Sequence, residues 1–70
     1  MKDIKQAFAE NLREIIGKES ISSFAKNVGI PQATISRYLA CKREPTLTNL
    51  CKIADYCNES IDVLIGREDY

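Results

Sequence analysis

The chain has no histidine and no tryptophan, and the missing imidazole removes the side chain most used for proton transfer near neutral pH and for metal ligation. Three glycines in 70 residues supply no phosphate-cradling loop. No cluster of convergent acids and no nucleophile with a plausible base stands out, and a chain this short has little room for a deep pocket. An enzyme is therefore not expected, and nothing points to a cofactor or a small-molecule effector. No apolar run approaches the length of a membrane span, and the opening Met1-Lys2-Asp3-Ile4 carries an acid where a signal peptide needs an apolar core. The three cysteines, Cys41, Cys51 and Cys57, are odd in number and lack the paired spacing of a zinc site. They read as reduced thiols in a cytoplasmic protein, Cys51 near the edge of the core and Cys57 within it.

Net charge is missing too: ten Lys and Arg balance ten Asp and Glu, whereas domains that bind nucleic acid usually carry a positive excess for phosphate contacts. The average hides a division. Between Glu19 and Glu44 there is no acid, yet Lys26, Arg37, Lys42 and Arg43 fall there. Beyond Arg43 the acids Glu44, Asp55, Glu59, Asp62, Glu68 and Asp69 face only Lys52 and Arg67. A basic central segment is followed by an acidic C-terminal third.

What the chain does have is helical periodicity, with no strand-type alternation or internal repeat. Ile4, Phe8, Leu12, Ile15 and Ile16 form one stripe and predict a helix over about 3–16, closed by Gly17. Ser20 caps a second helix over about 21–28, in which Ile21, Phe24, Ala25 and Val28 repeat until Gly29. Pro31 suits the first turn of a third helix over about 31–40, with Ile35, Tyr38 and Leu39 inward and Gln32, Ala33, Thr34, Ser36 and Arg37 outward. After a loop with Pro45, Thr46 caps a helix over about 47–57 whose Leu47, Leu50, Ile53, Ala54 and Cys57 face one way, ended by Asn58. Ser60 caps the last, over about 61–65, with Asp62 in its first turn, before Gly66. The expectation is an all-α single domain of residues 1–70 with five short helices on one core. Ala25 and Gly29 are small where helices two and three cross, which specifies a tight helix-turn-helix.

The stretch SSFAKNVGIPQATISRYLACKREPTLTNLCKIADYCNESIDVLIG resembles the Cro/C1-type (XRE) helix-turn-helix family. The leucine-alanine pair of that pattern is matched by Phe24-Ala25, its glycine by Gly29, its isoleucine by Ile35 and its loop proline by Pro45. Leu50, Ile53 and Ala54, then Ser60, Asp62 and Leu64, match the later elements. The sequence departs from the pattern where Ile21 replaces a glutamine that holds a phosphate, and where Leu39 and Cys41 replace a glutamate and a glycine.

The resemblance implies a five-helix lambda-repressor-like fold with the motif at helices two and three, acting as a regulator, more often a repressor, in a bacterium or phage. It implies that Gln32, Ala33 and Arg37 meet base edges, chemistry suited to adenine, the thymine methyl and guanine. Thr34 and Ser36 would lie nearer the DNA backbone, Lys42 and Arg43 at the groove's edge as phosphate clamps, and Ser20 and Thr46 beside the backbone. It further implies a homodimer on a palindromic double-stranded operator, with a seam expected near helix five and the tail, around Val63 and Tyr70. Arg13 is expected to pair with a neighbouring acid and tie helix one to the rest. The competing reading is a protein-interaction module of the same fold, such as an antitoxin or adaptor, supported by the zero net charge. Against it, the outward face of helix three offers Gln, Ala, Thr, Ser and Arg instead of large apolar anchors.

Overall fold

A computed structural model describes residues 3–67 as five helices. They are α1 (Ile4–Ile16), α2 (Ile21–Val28), α3 (Gln32–Leu39), α4 (Leu47–Cys57) and α5 (Ile61–Leu64). No strand occurs among the described residues. Four of the helices begin with a side-chain oxygen accepting a first-turn N–H: Asp3 from Lys5, Ser20 from Ser23, Thr46 from Asn49 and Ser60 from Val63. The fifth, α3, begins after Pro31, which has extended backbone and no capping side chain. Pro31 is thus the residue before the helix, and its fixed φ sets the angle of entry.

The core gathers Phe8, Leu12 and Ile16 from α1, Phe24, Ala25 and Val28 from α2, and Ile30 from the turn. Ile35 and Tyr38 of α3, Leu50, Ile53 and Ala54 of α4 and Leu64 of α5 complete it. Helix α1 packs on α3 and α5, while α2 packs on α3 and α4. Two edge-to-face ring pairs cross these seams, Phe8 with Tyr38 and Phe24 with Tyr56, each with centroids 5.4 Å apart. The Asn11 amide donates to the carbonyls of Val63 (2.9 Å) and Leu64 (3.1 Å) at the end of α5, the former also accepting the Gly66 N–H at 3.2 Å. Gly66 follows with φ +80°, and a Cβ there would lie 2.8 Å from the Cβ of Ala7, so this glycine answers both a backbone and a space requirement.

Several sequence expectations need correction. Leu47, assigned to the inward face of α4, is 79% exposed; it sits at the margin of the stripe and at the first helical position, where no neighbour covers it. Ile4 is half exposed for the same reason at the start of α1. Val63, expected at a seam between copies, is 5% exposed within its own chain, because a four-residue helix must turn more than one side inward to be held at all. The other residue of that seam, Tyr70, lies outside the described residues. Cys51 is exposed and Cys57 is half-buried against the core, where burial raises the thiol's pKa. No described helix is long and apolar enough to cross a membrane, and no cluster of potential metal ligands occurs among the described residues.

Candidate nucleic-acid interface

Successive residues of a helix are rotated by about 100°, so Gln32, Ser36, Ala40, Ala33 and Arg37 follow one another around one side of α3 over about 140°. All five are exposed. On the opposite side Ile35 and Tyr38 are buried at 0% and 2% exposure. Thr34 and Leu39 are intermediate and mark the margins. The three residues named as base readers therefore share an exposed face. Ser36 lies on that same face, between Gln32 and Ala33 around the axis, whereas Thr34 stands apart at its border.

The turn into α3 is built on Gly29, with φ +78° and ψ 35°. The N–H groups of Gly29 (3.0 Å) and Ile30 (3.1 Å) both donate to the carbonyl of Ala25, and the Ile30 side chain is buried directly after the reversal. A Cβ on Gly29 would meet nothing within 4 Å. The glycine thus serves the backbone angle alone, and Ala25, 3% exposed, is the small residue that the close crossing requires. The Lys52 ammonium, reaching across from α4, donates to the Gly29 carbonyl at 3.2 Å.

The turn out of α3 repeats this design with a different residue. Cys41 has φ +62°, its N–H donates to the Tyr38 carbonyl, and the N–H of Lys42 donates to the Arg37 carbonyl, both at 3.0 Å. This pair of hydrogen bonds around a left-handed residue is the Schellman ending, at the position where glycine is favoured. The Arg13 guanidinium donates to the Leu39 carbonyl at 3.2 Å. Arg13 does tie α1 to the motif, but its partner is a helix-end carbonyl, which carries partial negative charge, and not the acid expected from sequence.

Lys42 and Arg43 emerge exposed from this second turn, and Lys26 and Arg37 are exposed as well. Ser20 and Thr46 stand exposed at the starts of α2 and α4. Their hydroxyl oxygens accept the N–H groups of Ser23 (3.0 Å) and Asn49 (3.1 Å), and a hydroxyl that accepts still has a proton to donate.

Two polar arrangements behind the face carry no signal in the sequence. The Asn49 amide donates to the Tyr38 hydroxyl at 2.9 Å. The Glu19 carboxylate accepts from the Ser23 hydroxyl and the Asn27 amide, both at 2.9 Å, and from the Tyr56 hydroxyl at 3.4 Å, which links α2 to α4. The links between helices, Asn49 to Tyr38 and Tyr56 to Glu19, join residues 11 and 37 apart, which no local spacing announces.

Neither curated proteins nor solved structures yield a match to the chain. A family model described as helix-turn-helix matches residues 10–64, a span that runs from within α1 to the last residue of α5 and covers well over half of the sequence. With the five-helix architecture, the glycine reversal between α2 and α3 and this match in hand, the chain belongs to the Cro/C1-type (XRE) helix-turn-helix family of DNA-binding transcription regulators, on a lambda-repressor-like all-α fold.

Proposed function

We propose that the chain is a repressor that binds a palindromic operator as a homodimer, each copy laying the exposed face of α3 in the major groove. The observation that carries this reading is the two-sidedness of α3: Gln32, Ala33, Ser36 and Arg37 are exposed together while Ile35 and Tyr38 are buried behind them. A polar face on a rigidly backed helix is what groove reading requires. Gln32 pairs with an adenine edge, Arg37 with guanine, and the Ala33 methyl touches thymine. Ser20, Thr34, Ser36, Lys42, Arg43 and Thr46 contact the DNA backbone, Ser20 and Thr46 from helix starts where partial positive charge favours phosphate. An eight-residue helix reaches few base pairs, so strong selectivity calls for two copies on a symmetric site.

The test is to select duplexes from a random library and titrate the winner at two salt concentrations. A palindrome whose affinity falls with salt is the expected result. Arg37→Ala should then lose about 1–3 kcal/mol of discrimination at one base position, while Lys42→Ala should weaken all duplexes alike and flatten the salt slope by about one. Absence of any enriched site would overturn the reading and favour the protein-interaction module.

A further inference from the structure

Helix α3 is packed chiefly by α1 and α2, and apolar packing of this kind is non-directional. It sets the rotation of a helix about its own axis only through the shapes of the interdigitated side chains, with no bond aimed along one direction. Rotation is the coordinate that matters most to a reading face, because turning the helix carries Gln32 and Arg37 sideways in the groove together. A directional contact directly behind the face would set that angle.

Tyr38 occupies this place. At about 100° per residue it lies opposite the middle of the exposed arc from Gln32 to Arg37. Tyr38 is 2% exposed, and its ring meets that of Phe8 of α1 edge-to-face at 5.4 Å, with planes 73° apart. Its hydroxyl, at the far end of the ring, accepts from Asn49 of α4 at 2.9 Å in a half-buried setting. The backbone of Asn49 is anchored at the start of α4, since its N–H donates to the Thr46 hydroxyl. The ring is therefore gripped at its side by α1 and at its tip by α4. The tip contact is a hydrogen bond, whose strength falls steeply as the angle departs from linear.

We infer that Asn49, acting through the Tyr38 hydroxyl, is a positioning residue that fixes the rotational setting of α3 and so tunes selectivity for the operator without touching DNA. This rests on the proposed reading of DNA by α3. It predicts a signature that ordinary stabilisation does not produce: selectivity falls while charge-driven attraction to any duplex stays as it was.

The experiment compares the full chain with Asn49→Ala, Tyr38→Phe and the double variant. Each is titrated, well below its melting temperature, against the library-selected duplex and a scrambled one over a range of salt. The expected result is an affinity for the selected duplex about fivefold lower in each single variant, the size of one lost hydrogen bond. The double variant should be no worse than either single one, and the scrambled-duplex affinity and the salt slope should not change. Equal weakening on both duplexes, or unchanged selectivity with only a lower melting temperature, would overturn the inference. So would additive losses in the double variant, because the two residues would then act separately. If the unaltered chain selects a site and the variants keep full selectivity, only the positioning role is lost. If the unaltered chain selects nothing, the reading of DNA by α3 falls with it.

Discussion

The two turns that bracket α3 share one backbone design and differ in the residue at its centre. At the entry Gly29 takes φ +78°, and at the exit Cys41 takes φ +62°. Both close with a bond from the residue after the left-handed one back into the last turn of the helix, and both receive a cation on a terminal carbonyl, Lys52 on Gly29 and Arg13 on Leu39. Only the entry has a residue without a Cβ, so the left-handed conformation is easy there and costs about 1 kcal/mol or more at the exit. The entry angle is set by local chain preference. The exit is held in place by what surrounds it.

The largest blow to the entry turn should come from Ala25→Leu, which forces added volume into the closest approach of α2 and α3. We expect a loss of about 3 kcal/mol, read as a drop of roughly 12–24 °C in melting temperature for a domain of this size. Gly29→Val comes next at about 2 kcal/mol. The space around Gly29 is open, so this cost is purely conformational, and Gly29→Asn should recover most of it because Asn tolerates left-handed backbone. At the exit the sign reverses. Cys41→Gly should stabilise by about 0.5 kcal/mol, the relief of strain outweighing the greater freedom of the unfolded chain, and a lower melting temperature would show that Cys41 is held by contacts worth more than its strain. The smallest effects belong to the two cations. Arg13→Met and Lys52→Met should each cost about 0.5 kcal/mol, the usual size for a charge at a helix C-terminus, with the loss shrinking as salt is added.

The features of this frame that depend on neighbours along the chain are legible in the sequence alone. Ser20, Thr46 and Ser60 cap their helices, Gly29 and Asn58 take left-handed backbone at helix ends, and the inward stripe of α3 falls on Ile35 and Tyr38. Where periodicity misleads, the cause is position: Leu47 and Ile4 begin their helices and extend past their neighbours. The open room at Gly29 is equally hidden, because small size and backbone freedom look alike in a sequence. Of the candidate site, the polar composition of the α3 face is legible, together with the basic stretch without acids around it. Its support is not, since Asn49 and Tyr38 are 11 residues apart, and Arg13 and Leu39 are 26 apart. Such pairs follow from how the helices pack, which residue identity alone leaves open.

The carboxylate of Glu19 bears on how any salt titration of this protein is to be understood. Its three donors, from Ser23, Asn27 and Tyr56, are all uncharged, so no pair of opposite ions holds α2 to α4 at this point. Added electrolyte weakens attraction between full charges far more than hydrogen bonds from neutral groups. On the proposed reading, raising the ionic strength should therefore loosen the grip of Lys42 and Arg43 on phosphate while leaving this link between α2 and α4 intact. On that reading, a change in affinity across such a titration carries no contribution from the Glu19 contacts.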